Sequence, residues 1–271
     1  MNKIEVAIID EHNDPGGMMM FLAKLTQRGH NIHCMDDLLK LYNTSAFPDK
    51  KVVGRVSQMP HGTIKRFTPI TIAIVGASRR FLAQARTNQV GVNYVSASLQ
   101  YSDYSGEADF VVPYALLEAE AAGKKFGPFY NMKDPETMPD VYVKPIELYL
   151  GGCRLAMSNY KSISEITDND TAGYAAPQGL RNILIMQANH QAWDYFIRLR
   201  SCNRNTVETQ YVTMLIWEAL LNSSYGEEFF KYSGPDCMFG RCREGKMSCG
   251  KPIKPAHPRE IIKERWPLLT E

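Results

Sequence analysis

The spacing of apolar residues alternates between helical and strand periods along the chain, which predicts a protein of mixed α and β structure. Apolar residues three or four positions apart predict helices, and alternating β-branched residues predict half-buried strands. The predicted strands are residues 1–10, 68–75, 92–101 and 108–112. The predicted helices are residues 18–28, 35–42, 79–87 (with Ser78 as N-cap), 113–125 and 145–166. The strands are too few and too widely spaced for a repeated strand–helix–strand ladder, so the pattern favours an α+β fold.

The second half of the chain divides into long helical stretches and loops. Residues 180–221 contain no proline and predict one or two long helices joined end to end. Polar or Pro- and Gly-rich composition predicts irregular structure at residues 50–62, 126–143 and 168–177, and Gly76 is predicted to end the strand before it. We therefore predict an α/β domain at residues 1–232, followed by a Cys-, Pro- and Gly-rich tail at residues 233–271.

Charge and hydropathy exclude two classes of partner. The 31 Lys and Arg residues exceed the 29 Asp and Glu residues by only two, so the chain lacks the cationic excess typical of nucleic-acid binding. No apolar run reaches the roughly 18–20 residues that a membrane span needs, and the N-terminal strand lacks the features of a signal peptide. We predict a cytoplasmic protein that binds neither nucleic acid nor membrane, while a small anionic ligand held by a few arginines remains compatible.

The cysteines of the tail have two interpretations. Cys237, Cys242 and Cys249 lie within thirteen residues, and with His257 they would offer four metal ligands. Their spacing differs from the usual C-x2–4-C arrangement of zinc sites, however. A tail that merely contains thiols is therefore the favoured interpretation, so no metal ligands are assigned and metal binding stays open as the alternative.

A charged stripe is predicted on the long C-terminal helix. Arg200, Arg204 and Glu208 follow one another at four-residue intervals, so a continuous helix would place them on one face, whereas Arg198 would point elsewhere. Such a stripe would suit the border of a cleft. A solvated ladder of ion pairs, worth about 0.3–0.5 kcal/mol per pair, is the alternative.

A row of uncharged polar side chains is predicted on the strand at residues 92–101. Strand alternation would place Ser96, Ser98 and Gln100 on one face, which suits a small polar ligand and equally suits an exposed sheet edge. The common dinucleotide, P-loop, zinc-protease and nucleophile-elbow motifs are absent from the sequence, and its six histidines show no convincing ligand spacing.

Taken in chain order, these fragments resemble the flavin-dependent thymidylate synthases (ThyX). The family's usual motifs are G-H-x-S-x-x-E-H, G-x-S-R-A-x-x-x-Q, R-H-R-x-x-S-x-N-E-x-S-x-R-Y and F-x-x-L-R-x-x-x-R-A-Q-x-E-I. The matching stretches here are residues 60–63, residues 76–80 with Gln84, residues 98–101, and residues 196–200 with Arg204 and Glu208. Residues 242–251 are also similar to the ending of some members. No motif is intact, so the resemblance depends on order and spacing together.

The resemblance implies a fold, a reaction and an assembly. It implies a central, mostly antiparallel sheet flanked by long helices. It implies reductive methylation of dUMP to dTMP, with methylenetetrahydrofolate giving the carbon, FADH2 the hydride, and NADPH reducing the flavin. No protein nucleophile is required, which agrees with the absence of a nucleophile–base pair in the sequence. The sites would form between the subunits of a homotetramer.

The resemblance also implies residue roles. The residues expected at the nucleotide are Ser98, Gln100, Tyr101, Arg200 and Arg204. The residues expected at the flavin are Arg79, Arg86, Asn88, Gln89, Ser96 and Asn189.

The chain departs from the family pattern mainly where the pattern is charged. Thr87-Asn88-Gln89 replaces R-H-R, Arg66-Phe67 replaces E-H, and Gln100 and Gly173 stand where arginines are expected. Losing two arginines would weaken phosphate binding by about 3–6 kcal/mol unless Arg79, Arg181 or Arg204 substitutes. Two rival functions therefore remain open: a flavin-independent hydroxymethyl or methyl transfer to a pyrimidine nucleotide, and a non-catalytic nucleotide-binding or structural homologue.

Overall fold

The centre of the computed structural model, which describes residues 3–129, 141–240 and 242–270, is a four-stranded sheet. The strands are β1 Glu5–Glu11, β2 Pro69–Ser78, β3 Val92–Ser96, β4 Phe126–Phe129, β5 Val141–Val143 and β6 Arg181–Asn189. The main sheet has the order β1-β2-β6-β3 with every neighbouring pair antiparallel, and β4 and β5 form a separate antiparallel pair. The predicted α+β class with a mostly antiparallel central sheet is confirmed.

Helices account for most of the remaining regular structure. Those in the described part of the chain are α1 Pro15–Arg28, α2 Met35–Asn43, α3 Lys50–Ser57, α4 Arg79–Ala85, α5 Tyr114–Ala121, α6 Pro145–Ile166, α7 Asn169–Ala172, α8 His190–Arg200, α9 Val207–Leu221, α10 Gly226–Phe230 and α11 Pro258–Arg265. Short 3-10 helices lie at Gly29–Asn31, Gly62–Lys65, Gly173–Ala175, Asp236–Phe239, Gly245–Met247 and Pro267–Leu269. A membrane-crossing helix, long and apolar enough for a bilayer, is not found among the described residues.

Strand β6 corrects the prediction of continuous helix over residues 180–221. Its side chains alternate, with Leu184 and Met186 fully buried and Ile183 and Ile185 on the more exposed face. A short apolar run of this kind cannot be distinguished from a buried helix by periodicity, and no Pro or Gly marks the change to helix at His190. The true helical part is shorter and is divided into α8 and α9.

Three further predictions of irregular or extended structure differ from the structure. Residues 50–62 contain α3, because the Asp49 side chain accepts the Lys51 N–H at 2.8 Å and Val53 is buried. Residues 168–177 contain α7, capped by Asp168. Residues 108–112 form only an isolated bridge between Phe110 and Leu180 instead of a strand.

The remaining differences concern residues 126–143, the tail and the end of β2. Residues 126–143 contain β4 and β5, and residues 130–140 lie outside the described part. The predicted irregular tail contains α11, whose Ile261 and Ile262 are buried in the main core. Strand β2 also continues past Gly76 through an irregularity, where the glycine has a φ of +85°.

The main core lies on one face of the sheet. Ile70, Ile72 and Ile74 of β2 point into it, and Trp193 of α8 and Trp217 of α9 are among the largest fully buried side chains. Tail residues such as Trp266 join the same core, and the domain boundary after residue 232 stays a prediction. A second, smaller core lies along α6.

The opposite face of the sheet carries an accessible apolar row beside a polar row of Thr71, Gln187 and Asn93. Cross-strand register aligns Ala7, Ala73, Ile185 and Val95 in one row across all four strands. Val95 is 69% exposed, and its neighbours on this face include the exposed Ile183. Exposed apolar patches of this kind mark interaction surfaces in soluble proteins.

Candidate functional site around Arg200

The turn between α8 and α9 sets the position of Arg200. Helix α8 ends at Arg200, and the Asn205 amide donates to the carbonyl oxygens of Leu199 at 2.8 Å and of Cys202 at 3.2 Å. These bonds satisfy carbonyls at the helix end and reverse the chain before α9 begins. Arg200, Arg204 and Glu208 therefore do not form one helical stripe, and that prediction is wrong.

Arg200 is a partly buried cation with unused hydrogen-bonding capacity. Its guanidinium donates to the Asn205 side-chain oxygen at 3.3 Å and to the Thr87 hydroxyl, while its Nε is buried and unpartnered among the described residues. In that part of the chain no carboxylate lies within 4.0 Å of it. Burial lowers the pKa of Arg200 because the charged form loses solvation. This arrangement favours binding of an anion.

Tyr94 lies beside this guanidinium. Its hydroxyl lies 2.6 Å from the carbonyl oxygen of Asn88 and 2.9 Å from that of Ala85 and donates to this pair. Burial raises the pKa of Tyr94 to about 12, although the charge of Arg200 opposes the shift. Tyr94 is therefore a neutral hydrogen-bonding group that fixes the end of α4 near Arg200.

Sequence reasoning missed three residues that hold Arg200 in place: Thr87, Tyr94 and Asn205. Tyr94 shares strand parity with Ser96, so the alternation that singled out Ser96 also contained a signal for Tyr94. Asn205 directly precedes the Thr206 N-cap, and Asn is a common turn residue. Nothing in the local pattern marks Thr87.

Two of the residues expected at the flavin form a second cationic group along α4. Arg86 donates to the Ser96 hydroxyl at 2.5 Å and is exposed. Arg79 lies two helical turns earlier, and its Nε is buried without a hydrogen-bond partner among the described residues. Burial lowers the pKa of Arg79, and the nearby charge of Arg86 adds to this effect.

The other residues expected at the flavin differ in exposure and place. Asn88 is buried with its side-chain nitrogen unpartnered in the described structure, whereas Gln89 is exposed. Asn189 caps α8 by accepting the Ala192 N–H at 3.0 Å and lies near Gly91 at the start of β3. Ser96 is at the other end of β3, about 16 Å along the strand from Gly91. These residues could contact only different parts of one extended ligand.

The segment expected to lie at the nucleotide is a turn. Strand β3 ends at Ser96, and the Ser102 N–H then bonds to the Ser98 carbonyl oxygen at 3.0 Å. The predicted single face of Ser96, Ser98 and Gln100 is therefore wrong. Tyr101 is 84% exposed, and within the described chain no hydrogen bond joins Ser98, Gln100 or Tyr101 to Arg200.

Arg204 is exposed and lies beside the tail. The pKa of the Cys249 thiol is lowered first by the Lys251 N–H, and the nearby charge of Arg204 contributes. His257 is engaged as the N-cap of α11, where its Nδ1 accepts the Arg259 N–H at 3.3 Å. No group of three or more His, Cys, Asp or Glu residues in the described chain is arranged to hold a metal ion.

Motif residues on α4 and α9 join these two helices. Glu208 accepts the backbone N–H of Ser78 at 2.7 Å and also its hydroxyl. The side-chain oxygen of Gln84 accepts from the hydroxyls of Thr206 and Thr209. Burial raises the pKa of Glu208, and the bonds from Ser78 oppose this shift. These contacts fix α4, together with Arg79 at its start and Arg86 just after its end, relative to the turn that positions Arg200.

Comparison with known proteins identifies the family. The family model described as "Thymidylate synthase complementing protein" (Thy1) matches residues 7–223. A flavin-dependent thymidylate synthase of Geobacter sulfurreducens is 22% identical over 250 residues, which cover 92% of this chain and 94% of that protein. One from Clostridium tetani is 33% identical over 82 residues, covering 30% and 32%. The chain therefore belongs to the ThyX family.

Solved structures show the same fold at low identity. ThyX from Helicobacter pylori, crystallised with FAD and dUMP, matches with a TM-score of 0.55 and 17% identity over 84% of this chain and 96% of its own. The UMP/dUMP methylase PolB from Streptomyces cacaoi, bound to 5-Br dUMP, matches with a TM-score of 0.58 and 13% identity over 86% and 97%. The fold is thus shared with proteins that bind pyrimidine nucleotides.

Proposed function

We propose that this chain binds a pyrimidine nucleoside monophosphate at Arg200 and methylates its base, converting dUMP to dTMP. The observation that carries the proposal is the partly buried guanidinium of Arg200, which has an unpartnered Nε and no carboxylate nearby among the described residues. Family membership and the nucleotide-binding relatives support the choice of substrate class.

A nucleotide phosphate would supply the anionic hydrogen-bond acceptor that Arg200 lacks among the described residues. A phosphate monoester carries close to two negative charges, and a charge-assisted hydrogen bond contributes about 1.5–3 kcal/mol. Thr87 and Asn205 hold the guanidinium at two of its nitrogens, which reduces the conformational entropy lost on binding. Arg200 would then fix the base for reaction by fixing its phosphate.

The chain's part in the chemistry is alignment and electrostatics. Methylenetetrahydrofolate would supply the carbon, bound FADH2 would supply the hydride, and NADPH would regenerate the reduced flavin. Tyr94 keeps its proton at neutral pH and orients the α4–β3 loop beside the substrate. Four further residues remain proposed nucleotide contacts: Ser98, Gln100, Tyr101 and Arg204. Because they are accessible in a single chain, they would contact the nucleotide bound by another subunit.

The residues along α4 fit a flavin diphosphate. Arg79 has an orphaned buried Nε, and Arg86 is accessible, so together they offer two cations to a dianion. The exposed amide of Gln89 offers uncharged donors, whereas the side-chain nitrogen of Asn88 is unpartnered among the described residues but buried. Asn189, at the other end of β3, keeps its side-chain N–H groups for a distant part of the cofactor, and Ser96 orients Arg86.

A flavin-independent transfer on the same scaffold is the second candidate. The triplet Thr87-Asn88-Gln89 stands in place of R-H-R. Thr87 accepts a hydrogen bond from Arg200 and Asn88 is buried, so only Gln89 presents a free, accessible side chain. Hydroxymethyl transfer from a folate requires no hydride, so weak flavin binding would not prevent this reaction.

The absorption spectrum of the freshly purified protein separates the two candidates. We expect flavin bands that persist through gel filtration. The Arg86→Gln variant should retain at most about one tenth as much flavin, because it removes one of the two cations offered to the diphosphate. Lys51→Gln, an exposed change on α3, is the matched control. Colourless protein that still releases tritium from 5-labelled dUMP would favour the flavin-independent transfer.

Substitution of Arg200 tests the nucleotide site. Arg200→Gln should weaken dUMP binding about 10- to 100-fold by calorimetry, because it removes charge-assisted bonds but keeps a polar side chain. Arg198→Gln is the control on the same helix, since Arg198 is paired with Asp194 at 3.0 Å and faces away. Equal dUMP affinity in wild type and Arg200→Gln would refute the site.

We also propose that the chain works as a homotetramer, with the apolar row on the outer face of the sheet buried against another copy. The row Ala7, Ala73, Ile185 and Val95 offers an apolar strip that the same strip of another copy would cover in an isologous interface. Burying such a surface would bring two copies of the accessible Ser98–Tyr101 turn into fixed positions.

Light scattering after gel filtration tests the assembly. Wild-type protein should have four times the 30.7 kDa chain mass, and Val95→Asp should reduce it, because a carboxylate in an apolar interface is strongly disfavoured. The monomer should still fold, since Val95 is 69% exposed. Val90→Asp, at an 85% exposed position off the sheet, is the control. A wild-type monomer, or an unchanged mass for Val95→Asp, would contradict the proposed interface.

A further inference from the structure

A large cavity lies where the two hydrophobic cores meet. It has a volume of about 690 Å³, within the range of small-molecule sites. Its walls come from the segment before β1, the end of β2, the start of β6, helices α4, α5, α6 and α9, and the 3-10 helix Pro267–Leu269. The described residues proposed to contact the nucleotide or the flavin do not line it. The cavity is therefore separate from the proposed nucleotide and flavin positions.

The wall of this cavity is mainly apolar and comes from both cores. Phe110 belongs to the smaller core along α6, and the other buried wall residues belong to the main core. The side chains that form the apolar wall include Phe110, Val112, Tyr114, Leu117, Tyr211 and Leu269. All of these except Leu269 are at most 9% exposed. Since protein interiors contain few voids larger than a water molecule, an apolar space of this volume indicates a binding site for an apolar group.

The wall offers few hydrogen-bonding groups to a ligand. The Tyr149 hydroxyl donates to the Val111 carbonyl oxygen at 2.8 Å, and the Thr206 hydroxyl donates to the Gln84 side chain at 3.0 Å. Burial raises the pKa of Tyr211, so its hydroxyl stays protonated as a single neutral donor. A heterocycle with several ring nitrogens and carbonyls would leave polar groups unpaired along this wall, which is costly. The wall therefore favours a hydrocarbon body.

One end of the cavity is cationic. Arg80 and Arg181 line it and lie near the Glu208 carboxylate, and Arg181 also donates to the Lys3 carbonyl oxygen at 2.8 Å. Arg181 pairs with Asp109 at 3.3 Å. The three cations thus face two carboxylates, which leaves an excess of one positive charge. Burial raises the pKa of Glu208, and its protonation would only increase this excess.

Arg80 is a free cation at the mouth of the cavity. It is exposed, and its side chain has no hydrogen bond or ion pair within the described chain. The preceding Arg79 does not line the cavity, because successive helical side chains point about 100° apart. A guanidinium presents parallel N–H donors that match a carboxylate. This end of the cavity therefore suits a single carboxylate.

We propose that this cavity binds a fatty acid, with its carboxylate on Arg80 and its hydrocarbon chain along the apolar wall between the two cores. The excess of one positive charge matches one carboxylate, and a wall with few free polar groups matches a body without heteroatoms. The proposal is independent of nucleotide binding at Arg200, because the two sites share no proposed contact residue.

Titration calorimetry of the full chain with fatty acids of increasing length tests the apolar wall. The probes are octanoate, decanoate and dodecanoate, each below its micelle concentration. We expect affinity to rise about fourfold per added methylene, because each methylene buries further apolar surface. Absence of dodecanoate binding, or equal affinities for octanoate and dodecanoate, would overturn the proposal. Binding to phosphatidylglycerol vesicles without dodecanoate binding would instead indicate a membrane surface and would also overturn it.

Substitution of Arg80 tests the carboxylate contact. Arg80→Gln should weaken decanoate binding about tenfold, because it removes a charge-assisted bond, and should leave the binding of neutral decan-1-ol unchanged. The variant should fold, since Arg80 is exposed. Arg55→Gln, at an exposed position on α3, is the matched control. Unchanged decanoate affinity in Arg80→Gln, or an equal loss for decan-1-ol, would refute the carboxylate contact.

A larger side chain at the edge of the cavity tests its location. Leu269→Trp, in the partly buried C-terminal 3-10 helix, should weaken decanoate and decan-1-ol alike by about tenfold, because the indole would occupy part of the cavity. Leu39→Trp, at a 50% exposed position on α2, should change neither affinity. Circular dichroism checks that both variants fold. Wild-type affinity for both probes in folded Leu269→Trp would show that they bind elsewhere and would overturn the proposal.

Discussion

The partly buried charge of Arg200 is the constraint on which the candidate site depends. A guanidinium with reduced solvation and no nearby carboxylate among the described residues is costly unless an anion binds. The chain nevertheless holds it in place through Thr87 and Asn205, with Tyr94 fixing the adjacent loop. This cost is explained if the missing anion is the substrate.

The rest of the fold positions that cation. The antiparallel sheet supports α4 and α8, and the bonds of Glu208 to Ser78 and of Gln84 to Thr206 lock α4 to α9. Two cationic groups, Arg200 and the pair along α4, thereby lie on adjoining elements. The apolar row on the outer sheet face and the turn after β3 are left accessible, and the proposed second copy would cover them.

Local structure was predicted best where it depends on residues that are close together in the sequence. Helix α6 has the predicted bounds, and Ser78 caps α4 by accepting the Phe81 N–H, as its residue type indicated. Strand β6 was missed because a central strand reads as a continuous apolar run. The stripe through Arg204 failed because spacing alone cannot reveal the turn that Asn205 stabilises, and partners distant in sequence, such as Thr87, leave no local signal. The resemblance pointed to Arg200, but its partners required coordinates.

The most direct test of the central claim is a calorimetric comparison of dUMP with deoxyuridine, which lacks the phosphate. If Arg200 serves as the counter-charge of a phosphate, dUMP should bind at least 100-fold more tightly at low ionic strength. Equal affinities would show that the guanidinium has another role, and the account of the site built on it would be wrong.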